Sequence, residues 1–198
     1  MKGLKENFNK CHILIVGSGI IGKFNALELS ELGFQITIVD SNTSKNSSNA
    51  ALGLLMGHIY QKRKGRSWAL RKKSNKLWPK WIKIFQNYNE DLRIEKPLIQ
   101  LTTKHEKFEK LRKFVDHLPN KDLKVLEKDS NIIKKINEVF KINNLRGIIS
   151  YRDGRIDPIP LLRTLDICLK NKNINFINDE IINIQKINNQ WISTSKNK

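Results

Sequence analysis

Three glycines and one acid stand at a spacing that can hold a pair of phosphates and a ribose. Gly17-Ser18-Gly19-Ile20-Ile21-Gly22 has the form GxGxxG, and Asp40 lies 21 residues beyond the second glycine. Where such a run joins a buried strand to a helix it marks a dinucleotide site. Gly17 permits the tight turn out of the strand, Gly19 lacks the Cβ that would keep a pyrophosphate off the backbone, and Gly22 lets helix and strand pack closely. The amides that open the helix, those of Ile20 and Ile21 among them, have no intrahelical partner and sit at the positive end of the helix dipole. Asp40 can accept hydrogen bonds from the hydroxyls of an adenosine ribose, and its charge disfavours a 2′-phosphate, which argues against NADP. Ser41, directly after the acid, is grouped with it as a candidate contact.

The elements needed to position these residues are present around them. Residues 11–16 (CHILIV) are a short continuous apolar run of the kind that forms a strand buried on both faces. Ile20 to Leu32 carries apolar residues on one helical face, with Gly33 placed as a C-cap. Phe34 to Val39 is rich in β-branched residues and closes on Asp40, which completes a βαβ unit within thirty residues. Polar turn formers at 41–50 predict a loop, followed by the small-residue segment ALGLLMG. From about Ser67 to Leu92 aromatic and aliphatic residues, among them Trp68, Leu70, Leu77, Trp78, Trp81 and Phe85, recur at helical spacing, with Pro79 kinking or restarting the helix. This stripe is expected in the core. Further along, a strand is expected at 97–103, a helix at 105–117, a loop entering a helix over 125–140, a strand at GIISY and a helix from Pro160 to Leu169. Strands near 174–184 and 190–194 complete the chain.

Composition narrows the class. The formal net charge of +18 raises nucleic acid as a partner in principle. The excess is spread along the whole chain, favours Lys over Arg and accompanies much Asn and Ile, so it is read as compositional drift on a solvated surface. No specific nucleic-acid binding is expected. Cys11 and Cys168 are too few and too far apart for a disulfide scaffold or a metal site and are expected in the core. The four histidines (His12, His58, His105, His117) show no triad or metal spacing, no metal is expected, and Arg152 and Arg155 are expected as surface charges. The charged N-terminus has no apolar run, and ILIVGSGII is short and broken by glycines, so the chain is expected to be cytoplasmic with no membrane span.

NAD and FAD sites share GxGxxG, and the residues beyond it separate them. Instead of another short strand and helix after Asp40, this chain has a Ser/Asn loop, small residues and a long aromatic helix. ILIVGSGIIGKFNALELSELGFQITIVD, SSNAALGLL, LWPKW and GRIDPIPLLRTL together resemble the D-amino-acid oxidase superfamily of FAD enzymes, in particular its glycine oxidase and D-amino-acid dehydrogenase branch. The resemblance runs from about His12 to Ser195 and covers about the first half of a family member. It implies an α/β chain: a Rossmann-like FAD/NAD(P)-binding domain with the start of an interleaved α+β substrate domain, truncated. The implied division is an FAD-binding βαβ unit, loop and helix at 11–92, a partial substrate-domain segment at 93–150, and a return to the FAD-binding domain at 151–198.

The resemblance also implies FAD as cofactor and oxidation of a small amine or amino acid at the flavin. It places Ser47 and Ser48 along the pyrophosphate and ribityl chain, and Ala50, Ala51 and Gly53 beside the isoalloxazine ring, where small side chains are needed. Asp157 is expected to cap the helix that begins near Pro160. His58 lies nearest the flavin loop, but no catalytic base is nominated, because the flavin carries the oxidation. The family's substrate-binding arginine and closing strand belong to its C-terminal half and have no counterpart in these residues. Two other readings stay open: an inactive truncated remnant or one half of a split flavoenzyme served by a complementing C-terminal half, and, remotely, a basic nucleic-acid-binding protein.

Overall fold

The computed structural model describes residues 11–41, 47–118, 122–172 and 174–197. Their contacts separate into two compact units that alternate along the chain: Met1–Leu52, Phe85–Leu92 and Pro158–Lys198 form one, Gly53–Ile84 and Arg93–Asp157 the other.

In the first unit β1 (His12–Val16), α1 (Ile20–Glu31) and β2 (Gln35–Asp40) form the expected βαβ motif. β1 runs parallel to β2, with Val16 opposite Val39, and β8 (Asn175–Asn178) adds to the other side of β2 in parallel. The order β1-β2-β8 puts β2 in the centre, and its residues Ile36 to Val39 are buried. β1, expected to be buried on both faces, is instead an edge strand among the described residues; Leu14 and Val16 are 38% and 52% exposed. Cys11, expected in the core, is likewise exposed because it leads into that edge.

α1 ends at Leu32, and Gly33 at φ 94° supplies the left-handed residue that ends it, its N–H donating to the Ser30 carbonyl. The helix buries Ala26 and Leu27, stacks Phe24 edge-on against Phe85 at 5.7 Å and ties Lys23 to Asp166 of α5 (Pro158–Lys170) at 2.6 Å. α5 starts two residues earlier than expected, since proline is tolerated in a first turn where its missing N–H has no partner to lose. Its buried face, Leu161, Leu165, Cys168 and Leu169, follows helical spacing, and burial pushes the Cys168 thiol pKa up. A hairpin, β9 (Ile181–Ile187) and β10 (Gln190–Ser195), closes the unit through Asn188 and Asn189, both at positive φ as a two-residue hairpin turn requires.

The second unit is built on an antiparallel sheet of β4 (Leu98–Thr102), β6 (Arg146–Ser150) and β5 (Leu123–Leu126), in the order β4-β6-β5. β5 falls just before and into the segment expected as a loop; its four residues are short and followed at once by charges, so pairing with β6 rather than local pattern makes it a strand. Adjacent residues of a strand face opposite ways, and β6 shows the result. Ile148 packs with Leu111 of α3 (His105–Asp116), and Ile149 with Ile133 of α4 (Asn131–Phe140). A helix thus covers each face of the central strand. β3 (Leu54–Leu55) and β7 (Gly154–Arg155) form a short antiparallel ribbon.

α2 (Arg66–Gln86) is one continuous helix with Pro79 inside it. Of the aromatic stripe expected in the core, Trp81 and Phe85 are buried, whereas Leu70 and Leu77 are 70% and 42% exposed. Among the described residues no helix is long and apolar enough to cross a membrane.

Candidate dinucleotide site

β1 ends at Val16 and the chain turns at Gly17, whose φ of 100° belongs to a region L side chains rarely adopt. The Gly17 N–H donates to the Val39 carbonyl at 2.8 Å, so the turn is fastened to the end of β2. Asp40 fastens it a second time, its Oδ2 accepting from the Ser18 N–H at 2.5 Å. The acid therefore lies against the turn, at the carboxyl end of the parallel strands, where open α/β sheets bind ligands.

Gly19 is the N-cap of α1, with extended backbone and no side chain to cap with. Ser48 supplies part of the missing cap, because its Oγ accepts from the Ile20 N–H at 3.0 Å, and a Cβ on Gly19 would stand 3.0 Å from the same oxygen. The next amides, of Ile21 and Gly22, have no acceptor among the described residues. No acidic residue lies in the first turn to repel an anion. Gly22 is required by packing, because a Cβ there would overlap the Gly17 carbonyl oxygen. Lys23 is turned inward to Asp166 and is not available to a phosphate.

The structure thus brings Gly17, Gly19, Ile20, Ile21, Gly22, Asp40 and Ser48 to one place. Ser41, Ser47, Ala50 and Ala51 are exposed beyond them. Gly53 opens the second unit at φ 68°, its carbonyl accepting from the Ile156 N–H at 3.0 Å. The arrangement fits an ADP group: a bare backbone over a helix N-terminus, a serine hydroxyl beside it and a carboxylate at the end of the second strand.

Away from this turn, sequence reasoning overlooked Asp153. It is 1% exposed, its Oδ1 accepts from the Gly57 and His58 amides at 2.8 and 2.9 Å, and its Oδ2 accepts from the Ile59 amide at 2.6 Å. The Asp-Gly pair at 153–154, a turn former between strands, was the available signal. His58 pairs with Asp122 at 3.4 Å, and Arg152 reaches the same carboxylate at 2.9 Å. Arg155 pairs with Glu95 at 3.0 Å and Asp157 at 3.7 Å. Among the described residues no group of His, Cys, Asp and Glu is placed to hold a metal ion.

Strand, glycine turn, helix and acid define a dinucleotide-binding domain of the βαβ kind. Residues 12–198 match the DAO family, described as FAD dependent oxidoreductase, and the chain belongs to that family, whose cofactor is FAD. Its fold is similar to that of glycine oxidase from Geobacillus kaustophilus (TM-score 0.76, 20% identity, 93% of this chain and 51% of that one). It is similar also to iminodiacetate oxidase from Chelativorans sp. BNC1 (0.74, 16%, 93% and 51%). A third similar structure is the dithionite-reduced L-alpha-glycerophosphate oxidase from Mycoplasma pneumoniae with FAD bound (0.70, 20%, 95% and 50%). At these identities the likeness is one of fold, and the chain spans about half the length of each structure. No curated protein sequence matches it.

Proposed function

We propose that this chain is the cofactor-binding portion of an FAD-dependent oxidoreductase that acts on a small amine or amino acid. The observation that carries this reading is the α1 N-terminus, where the amides of Ile21 and Gly22, without an acceptor among the described residues, and the bare Gly19 lie beside Asp40. Gly17, Gly19, Ile20, Ile21 and Gly22 would bind the pyrophosphate through backbone amides and the helix dipole. Ser48 would donate its hydroxyl proton to a phosphate oxygen while still accepting from Ile20. Asp40 would accept from the ribose, already oriented by Ser18, with Ser41 beside it. Ser47, Ala51 and Gly53 would follow the cofactor towards its ring, as the family resemblance implies, within an FAD-binding part made of 11–92 and 151–198 and a substrate segment at 93–150. When bound, the flavin supplies the hydride acceptor for substrate oxidation. The site is proposed to work in the cytoplasm.

A second reading, half of a split flavoenzyme with a complementing C-terminal half or an inactive remnant, is favoured by the exposed apolar edge at Leu14 and Val16. Titration of the 198-residue chain with FAD, NAD and NADP tests the cofactor. FAD should bind tightest and NADP weakest, and tight NAD binding without FAD binding would overturn the proposal. Peroxide release and dye reduction with glycine, sarcosine and D-alanine test the second reading. The chain alone should show no turnover; stoichiometric flavin with turnover would show that it completes the site unaided.

A further inference from the structure

The second unit holds a cleft of about 480 Å³ that the proposed FAD turn does not use. Its wall carries Arg63, Lys72, Lys76, Lys96 and Arg152 against one carboxylate, Asp122. That carboxylate is already engaged by Arg152 at 2.9 Å and His58 at 3.4 Å. Asp153, behind the wall, directs its oxygens at the amides of residues 57–59. Lys72, Lys76 and Lys96 have no carboxylate partner among the described residues.

Lys72 and Lys76 are one turn apart on α2, a spacing at which like charges repel. Arg63 lies against two rings, its Cζ 5.4 Å from the centre of Trp68 and 5.1 Å from that of Phe114. Its Nη2 donates to the His58 carbonyl at 2.6 Å, while its Nε is buried without an acceptor among the described residues. Burial lowers its pKa, against the opposing pull of Asp153 and Asp122. A concave wall in which five cations outnumber one carboxylate focuses its positive field inward and raises the local concentration of anions.

We propose that this cleft binds a small phosphorylated ligand. Arg63 is held between two rings with its Nη2 on the His58 carbonyl, and Arg152 Nε is engaged by Asp122, so the cations without a carboxylate partner among the described residues are the lysines. The uncommitted cations are lysines on two separate segments, compact charges that converge on a tetrahedral group from different directions. The size of the cleft suits a small molecule.

The test is calorimetric titration of inorganic pyrophosphate into the 198-residue chain. Binding should be saturable, and Lys72→Gln combined with Lys76→Gln should weaken it about tenfold. Lys96→Gln, on another segment, should weaken it in the same direction. Lys104→Gln with Lys107→Gln removes equal charge near the start of α3 and should change the affinity less than about twofold. Gly19→Val, aimed at the FAD turn, should leave this binding in place, which separates the cleft from the cofactor proposal. Citrate should bind at least about tenfold more weakly than pyrophosphate. Unchanged affinity in the Lys72/Lys76 variant, equal losses in the two double variants, loss of the binding with Gly19→Val, or citrate as tight as pyrophosphate would each overturn the proposal.

Discussion

Asp40 shows how one side chain can serve the fold and the proposed ligand together. Its Oδ2 holds the Ser18 amide at 2.5 Å and its backbone carbonyl accepts from the Asp179 amide at 3.1 Å, so the carboxylate is oriented before any ribose arrives. Asp40→Ala removes a charge-assisted acceptor and a tether of the turn at once. FAD affinity should fall about ten- to hundredfold, from hydrogen bonds to a charged group worth about 1.5–3 kcal/mol. Asp40→Asn keeps an oxygen for Ser18 and should lie between the two. Fluorescence titration with FAD measures both, and an alanine variant with undiminished affinity would remove Asp40 from the ribose.

At the scale of elements, the loop after β3 is shaped by a carboxylate distant in sequence but set beside it by the β3–β7 pairing. Three successive amides, of Gly57, His58 and Ile59, converge on Asp153 next to β7. Asp153→Ala leaves these donors without acceptors in a buried place, at roughly 1–3 kcal/mol for each group that stays unsatisfied. The urea midpoint should therefore drop by an amount equivalent to about 3 kcal/mol or more, and Asp153→Asn, which keeps one oxygen, by less. A loss below about 1 kcal/mol for the alanine variant would mean that the loop is held by other contacts.

Over the whole molecule, 37 lysines and arginines face 19 acids, so falling pH both removes favourable charge pairs and raises self-repulsion. Asp179 is singled out within this balance. Hydrogen bonding from Ser195, then from the amides of Glu180 and Asn197 and the Asn197 side chain, outweighs burial and holds its carboxyl below the ordinary carboxylate range. A folded-state pKa below the unfolded value of about 3.9 gives stability that is present above that value and lost as pH falls through the folded one. Thermal unfolding of the chain should accordingly shift to lower temperature below about pH 4. Asp179→Asn should be less stable at pH 7 and converge on the parent chain as the pH is lowered. A constant difference in Tm between the two from pH 7 to 3 would show that the ionised carboxylate is not what ties the hairpin to the end of β8.

The βαβ unit was legible without coordinates, because every signal in it is local. The apolar runs, the glycines with their special φ and packing needs, and the acid on the second strand lie within thirty residues and act through neighbouring backbone. The FAD family was legible for a related reason: the stretches that carry it, from ILIVGSGIIG to GRIDPIPLLRTL, are recognisable one by one. Strand order was not. β8, expected as a strand, joins β2 from near the other end of the chain, a pairing its own residues do not specify, and β5 becomes a strand by pairing with β6. Ser48 at the Ile20 amide, Asp40 on the Ser18 amide, and Asp153 under residues 57–59 likewise depend on contacts between distant segments. The amino-acid sequence by itself determined which residues could turn, cap and carry charge; the tertiary structure decided which of them meet, because hydrogen bonds of about 3 Å form only where folding brings their partners together.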